Sequence, residues 1–253
     1  MTPVRCFWFL SNNFGDALNV YLVRAITGVE PILVGGADPV SKYMVCGSIL
    51  AHANATMTVW GAGIGSLSER VPPTTILAVR GPLSRWRVYK AGVACPEVYG
   101  DPGFLLPKFY QPKIASERAQ VGIVPHYVDH DRAVGLYAED PDVRVISILG
   151  EPEHVIDQIC ACDVIVSSSL HGLVAGIAYG KPVCWAEFSD SVLGDGTKFM
   201  DLFLSCGVSV HTPLDLRSGP AVPAVELVGR ARSMSPPDLS MLWEACPFRR
   251  TAD

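Results

Sequence analysis

Short β-rich runs alternate with helix-patterned segments along nearly the whole chain, and no other feature limits the possible folds as much. Parallel strands need a crossover of a dozen or more residues, usually a helix, so the alternation spells βαβ units around sheets buried on both faces. Residues 4–10 read as a first strand. Asn12-Asn13-Phe14-Gly15-Asp16 forms a turn and cap, and residues 16–27 place Leu18, Leu22, Val23 and Ile26 at helical spacing until Gly28 stops the helix. Further strands are expected over 31–34, 44–50, 56–60, 75–79 and 97–99, with a helix over 82–91 opened by Pro82 and closed by Gly92.

The composition shifts after Gly103. Pro107 and Pro112 bracket a segment that runs into the polar stretch 116–120, which reads as an interdomain linker. A second unit follows, with strands over 121–124, 143–149, 164–167 and 182–186 and helices over 151–161, 170–179, 198–206, 224–232 and 238–245. The expected fold is α/β, with two Rossmann-like domains, 1–113 and 114–253, facing each other across a cleft. The last helix is placed to pack back on the first domain, and ligands in such sheets sit at the carboxyl ends of strands.

With 253 residues, 49% hydrophobic and 18% charged, the chain can bury a large core. A net charge of −5, with no basic run longer than Arg249-Arg250, offers no footprint for a nucleic-acid backbone. The run 4–10 is too short for a signal-peptide core, and nowhere do ~18 apolar residues follow one another as a membrane span needs, so the chain reads as cytoplasmic. The eight cysteines are scattered, with one CxC and no CxxC, which favours buried free thiols over a zinc site or a disulfide frame.

The strongest local signal is Ser167-Ser168-Ser169-Leu170-His171-Gly172, where a buried strand ends in three hydroxyls and a helix opens at once. Free N–H groups at that helix start, beside serine hydroxyls, form an anion site favoured by the macrodipole. His171 stands in the first turn, able to donate a hydrogen bond or a proton. The same spacing also suits an N-cap serine cluster with a structural histidine.

Gly61-Ala62-Gly63-Ile64-Gly65 follows a strand, but its GxGxG spacing and the lack of a long helix before Pro72-Pro73 argue against a dinucleotide site. Gly61 and Gly63 instead let backbone pass close to a ligand or the opposite domain, or form an ordinary tight turn. Arg80 ends a strand just before a helix, where its planar fork suits a carboxylate or phosphate; a surface salt bridge is the plainer alternative. His126-Tyr127-Val128-Asp129-His130-Asp131 matches no standard zinc pattern and fits a polar cleft loop, with no metal site assigned. Asp101, in Gly100-Asp101-Pro102-Gly103, reads as a turn former first and a cleft carboxylate second. No nucleophile elbow, Walker loop or kinase signature occurs.

Taken in order, several of these pieces resemble the polysaccharide pyruvyl transferase family, especially the exopolysaccharide ketal-pyruvate enzymes of the xanthan and succinoglycan type. They are Asn13-Phe14-Gly15-Asp16, Gly47-Ser48-Ile49-Leu50, Val59-Trp60-Gly61-Ala62-Gly63, Val79-Arg80-Gly81-Pro82, Val98-Tyr99-Gly100-Asp101-Pro102-Gly103, Val124-Pro125-His126-Tyr127-Val128-Asp129 and Ser168-Ser169-Leu170-His171-Gly172. The resemblance implies a fold like the B-type glycosyltransferases, phosphoenolpyruvate as donor substrate with no cofactor, and a hexose with two free hydroxyls as acceptor. It makes Arg80 and His171 the donor-binding and catalytic pair, with the Leu170 backbone beside them, and matches Lys198 more loosely to a functional lysine. Some relatives carry an arginine directly before the Leu-His pair, where this chain has Ser169; any phosphate-holding role of that arginine then passes to Ser168, Ser169 or Lys198.

On that reading, Asn13, Asp16, His126, Tyr127 and Asp101 are further substrate contacts, and Asp16, Asp101, Asp129 and Glu187 are the carboxylates available as base. A lipid-linked acceptor would bring the enzyme to the inner membrane face without insertion. Two rivals stand beside it: a nucleotide-sugar glycosyltransferase of the same fold, since fold does not fix function, and a non-catalytic sugar-binding module.

Overall fold

The computed structural model describes residues 3–113, 117–209 and 212–249. The first sheet is built from β1 (Arg5–Cys6), β2 (Ile32–Leu33), β3 (Lys42–Met44), β4 (Met57–Trp60) and β5 (Thr75–Ala78), with helices α1 (Phe14–Thr27) and α2 (Pro82–Lys90). The second comprises β6 (Ala119–Val124), β7 (Val143–Val145), β8 (Cys162–Ser167), β9 (Val183–Glu187) and β10 (Leu214–Asp215). Its helices are α3 (His130–Tyr137), α4 (Pro152–Cys160), α5 (Leu170–Ala178), α6 (Thr197–Ser205), α7 (Ala224–Arg230) and α8 (Leu239–Glu244).

Both sheets are parallel throughout, in the orders β2-β1-β3-β4-β5 and β10-β9-β8-β6-β7. Counted from its own first strand, each reads 2-1-3-4-5, the doubly wound order, which bears out the expected α/β class with two Rossmann-like sheets. In each sheet the winding reverses between the first and third strands. The crevice beyond the carboxyl ends of those two strands is where such folds hold ligands.

Local chemistry sets the element ends. Asn13 caps α1 by accepting from the Gly15 N–H, and Gly28 closes it in the left-handed region at φ 73°. Leu18 and Leu22, fully buried on its inner face, each stabilise by about 1.5–3 kcal/mol. The central strands β6 and β8 carry near-continuous buried apolar residues, as strands covered on both faces must.

Several expectations shift. The strand expected over 44–50 is β3 at Lys42–Met44, after which Gly47 at φ 115° turns the chain into a 3₁₀ helix at Leu50–His52. Val45, Cys46, Ile49 and Leu50 are buried loop residues, so their apolar run mimics a strand. Of residues 4–10 only Arg5–Cys6 pair, and of 97–99 only Tyr99 bridges, to Val79. The loop expected after His126 is a 3₁₀ turn, Tyr127–Asp129, running into α3, and a 3₁₀ helix fills Pro102–Lys108. Of the linker expected over 116–120, Ser116 lies outside the described residues, and Ala119 and Gln120 already belong to β6.

The two sheets share apolar packing. Gly103 lies so close to Val174 of α5 and Leu18 of α1 that a Cβ there would stand 2.8 Å from Val174 and 3.4 Å from Leu18. The 3₁₀ helix, α1 and α5 thus meet in one seam that links both halves. α8 lies on the first sheet: the Trp60 indole N–H donates to the Leu242 carbonyl at 2.8 Å, and Phe248 rests edge-on against Tyr43 at 4.8 Å. Among the described residues no helix is long and apolar enough to cross a membrane.

Candidate active site

A cleft of about 410 Å³ opens where the two switch points face each other. Phe9 follows β1 and Ser48 follows β3; from the other half, Tyr127 follows β6 and Ser169-Leu170-His171 follow β8. The start of α1 (Asn13, Gly15, Asp16) forms one wall, and Leu193, Gly194 and Lys198 close the opposite side.

His171 is the only imidazole here tied to a buried carboxylate among the described residues. Its Nε2 stands 3.5 Å from Asp101 Oδ2, with the carboxylate fully buried. Neither atom has another hydrogen-bond partner, and both are cut off from solvent. That distance is just beyond an ordinary hydrogen bond, and such contacts tighten when substrate binds. Asp101 does two jobs: Oδ1 accepts from the Gly103 N–H at 2.9 Å to cap the 3₁₀ helix, and Oδ2 faces the imidazole. Burial pushes its pKa up, but the nearby His171 imidazole, the Gly103 N–H and Arg80 together hold it below the usual aspartate range. Cys46, buried beside the same carboxylate, has its thiol pushed well up by burial and by that negative charge. The other edge of the His171 ring presses on α1: a Cβ on Gly15 would stand 2.2 Å from Nδ1.

The start of α5 and Lys198 meet at this cleft. No side chain caps Ser169 at the start of α5, so the first-turn N–H groups lack the acceptors a helix interior would supply. Within the serine trio, Ser167 bonds Val124 and Ser169 carbonyls, and Ser168 donates to Asp129 at 2.7 Å; only Ser169 faces the cleft. Lys198 opens α6, and its ammonium donates to the Leu193 carbonyl at 2.9 Å. Burial, and then the Arg80 charge, lower its pKa to about 8.

Arg80 itself does not reach the cleft. Its guanidinium is fully buried, paired with Asp201 of α6 at 3.1 Å and donating to Ser48 Oγ at 2.8 Å and to the Ile64 carbonyl. The strand-end position put it at the right height but under the floor, so a donor clamp gives way to a structural tie that holds Ser48 from below. Gly61 and Gly63 are likewise floor residues: a Cβ would meet Pro102 at 2.2 Å in the first case and the Arg80 guanidinium at 2.6 Å in the second. Gly65 of that loop does line the cleft.

The carboxylates divide sharply. Asp16 lines the cleft and accepts from Ser11 Oγ at 2.5 Å; burial raises its pKa against the lowering effects of Ser11 and His171. Asp129 is buried beneath the Ser168 and Ser189 hydroxyls, and Glu187 pairs with Arg217 outside the cleft. His126 lines the cleft beside Tyr127, its pKa lowered to about 4 by burial and by Lys198. Among the described residues no three His, Cys, Asp or Glu side chains converge as a metal-binding group.

Sequence reasoning passed over Glu69, His52 and Phe9 in the cleft and Asp201 beneath it. Only Asp201 left a trace, as an acidic residue among the apolar Phe199, Leu202 and Phe203 of α6.

Comparison with known proteins places the chain among relatives of several kinds. The chain is 28% identical over 208 residues to the uncharacterized protein L143 of Acanthamoeba polyphaga mimivirus, covering 78% of this chain and 71% of that protein. It is 29% identical over 212 residues to the succinoglycan biosynthesis protein ExoV of Rhizobium meliloti, covering 78% of this chain and 62% of that one. Among solved structures, the glycosyltransferase SnogD from Streptomyces nogalater aligns over 96% of this chain and 93% of its own at 14% identity, with a TM-score of 0.36. The polysaccharide pyruvyl transferase family model matches residues 3–187, which takes in both switch points and His171 and stops short of Lys198, and the chain belongs to that family.

Proposed function

We propose that this enzyme transfers pyruvate from phosphoenolpyruvate to two hydroxyls of a hexose in a polysaccharide or its lipid-linked precursor, forming a cyclic ketal and releasing phosphate. The observation that carries the reading is one cleft that brings together an imidazole backed by a buried carboxylate, the uncapped helix N-terminus that bears it, and a lysine. Phosphoenolpyruvate asks for that set: an acid near its methylene and cationic or N–H donors for its phosphate and carboxylate.

In the proposed sequence the α5 N–H groups, Ser169 and Lys198 hold the donor anion. Asp101 takes a hydrogen bond from His171 Nε2, so the proton handled in the cleft is the one at Nδ1. Protonation of the donor C3 by His171 makes C2 electrophilic, and a sugar hydroxyl adds there and yields its proton. The C2–O bond to phosphate then breaks, and a second hydroxyl of the same sugar closes the ring. One proton enters at C3 and two leave the hydroxyls; one restores His171 and the other ends on phosphate or solvent, so nothing is oxidised or reduced. Asp16, in the cleft beside His171 and with its proton affinity raised by burial, is the carboxylate best placed to take a hydroxyl proton.

The test is a thermal-shift series with phosphoenolpyruvate, UDP and GDP, followed by mass spectrometry of galactose-, glucose- and mannose-ended acceptors. Stabilisation by phosphoenolpyruvate and a pyruvyl mass increment with phosphate release are expected. Stabilisation by UDP or GDP alone would overturn the reading in favour of a nucleotide-sugar glycosyltransferase.

A further inference from the structure

The loop 188–196, between β9 and α6, starts on the second half of the molecule and comes to rest on the first. Near its beginning Ser189 donates to the buried Asp129 carboxylate, within the second half. Near its end Asp195 reaches the loop that follows β4, where its Oδ2 accepts from the Ser66 hydroxyl at 2.8 Å and from the Leu67 N–H at 3.4 Å. The two backbones meet there as well. Gly194 has φ 111°, and a Cβ on it would stand 2.8 Å from the Gly65 carbonyl oxygen, so a side chain would lift the loop off its seat.

Asp195 also acts on its own half. Its Oδ1 accepts from the Thr197 N–H at 3.1 Å, in the opening turn of α6, and the next residue is Lys198. Against the upward push of burial, bonds from Thr197 and Ser66 hold the Asp195 carboxyl below the usual aspartate range, so it grips Ser66 as an anion. Lys198 has no carboxylate partner among the described residues, and its ammonium donates to the Leu193 carbonyl of the same loop at 2.9 Å. Where the loop sits therefore decides where the ammonium stands and how much water reaches it. The Arg80–Asp201 pair, which also ties α6 to the first half, is fully buried, whereas Asp195 is exposed and Ser66 half-buried. The Asp195 bond can open without unpacking the core.

We propose that Asp195 is a positioning residue: by grasping Ser66 and Leu67 it latches the loop 188–196 onto the opposite half and so holds Lys198 in the cleft with His171 and Ser169. What Lys198 does there rests on the transferase reading, but the latch does not, so the two fail separately.

The test follows Lys198 itself, without turnover. Competitive labelling with acetic anhydride from about pH 6 to 11, read by mass spectrometry of the Lys198 peptide, is run on the unmodified protein and on four variants. They are Ser66→Ala, Ser66→Thr, Asp195→Ala and the double variant Ser66→Ala with Asp195→Ala. Burial, and then the Arg80 charge, lower the Lys198 pKa to about 8, and His126, His171, Asp16 and Glu69 share the cleft with it. Release of the latch admits water, so the labelling midpoint should rise by about one pH unit or more in Ser66→Ala. Ser66→Thr keeps the hydroxyl and should keep the midpoint. Because Ser66→Ala leaves the Thr197 contact in place, its shift reports the latch alone, and the double variant should go no further than Asp195→Ala. In turnover, Ser66→Ala should raise the phosphoenolpyruvate KM by about tenfold, the loss of one charge-assisted bond at a partly exposed site. An unchanged midpoint in Ser66→Ala overturns the proposal whatever Asp195→Ala does, since Asp195 then acts only through the start of α6. A double variant in which the two shifts add overturns it too. Absence of any phosphoenolpyruvate effect on the unmodified protein would count against the transferase reading, while the labelling result still decides the latch.

Discussion

Asp101 Oδ2 stands 3.5 Å from His171 Nε2, and the two residues come from different halves of the molecule: Asp101 leads into the 3₁₀ helix after the first sheet, His171 lies on α5 of the second. The imidazole is oriented only when both halves are docked, so the docking seam and the chemistry are the same object. The Arg80–Asp201 pair and the packing of Gly103 against Val174 are among the buried contacts that hold that seam.

Asp101→Asn keeps the shape and the Gly103 cap but removes the charge that faces Nε2. We expect kcat to fall by about 10²-fold or more, with the phosphoenolpyruvate KM little changed, because the residue acts through His171 and touches no substrate. A merely structural aspartate would lower activity only in step with the folded fraction, whereas here kcat falls in a variant that denaturant titration shows to be fully folded. The same substitution alters stability. A carboxylate held below its usual range contributes stability above that range and loses it as pH falls through the lowered value, so denaturation of the variant should lack that part of the acid limb.

Lys198 supplies a second pH dependence. With its pKa lowered to about 8, the ammonium is lost from the free enzyme as pH rises through that value, so kcat/KM for phosphoenolpyruvate should fall above about pH 8. A bound dianion restores the charge, so kcat should hold to higher pH. Lys198→Met removes the alkaline limb along with most of the donor affinity. Stability moves the opposite way: between about 8 and the ordinary lysine range the unfolded chain binds more protons, and folding should strengthen with pH there. Initial rates across pH 6 to 10 (roughly the window of these groups), with denaturant titrations in parallel, check both signs.

Arg80 separates a donor clamp from a structural tie. Its guanidinium and the Asp201 carboxylate are both fully buried, and Asp201 also accepts from the Leu83 and Ser84 N–H groups at the start of α2. Arg80→Ala leaves that carboxylate uncompensated, at a cost of about 3–5 kcal/mol. Denaturant unfolding should register the loss, and activity should follow the folded fraction. A variant that stays fully folded while the phosphoenolpyruvate KM rises would return Arg80 to a direct donor contact.

Much of this was legible in the residue pattern, for physical reasons. β6 and β8 announce themselves because a strand covered on both faces must be apolar throughout, and α5 because a helix that starts straight after such a strand exposes its N–H groups at the sheet edge. The strand expected over 44–50 failed because a buried loop is as apolar as a strand, and only the positive φ of Gly47 tells them apart. Arg80 was misplaced because its partner Asp201 lies 121 residues away, where no local spacing can reveal it. Phe9 and Glu69 enter the cleft from loops and His52 from the short 3₁₀ helix Leu50–His52, all placed by tertiary packing, so nothing in their immediate sequence marks them.

Gly15→Ala gives the sharpest test of how tightly the imidazole is seated. Inside a helix, glycine to alanine ordinarily stabilises by about 0.5–1 kcal/mol, because alanine has less backbone freedom to lose. At Gly15 the added carbon would stand 2.2 Å from His171 Nδ1 and 2.7 Å from Cε1, so the ring must move away from the Asp101 contact or α1 must shift. A displacement near 1 Å at a reacting group is enough to cost about 10²-fold in rate. The expected result is therefore a split: kcat collapses while the melting temperature changes little, since strain at the ring offsets the gain in helix propensity. A crystal structure of the variant should show His171 rotated off Asp101. If kcat survives with the ring displaced, the proton at C3 comes from another group, and Asp16, the neighbouring cleft carboxylate with raised proton affinity, becomes the acid to test next.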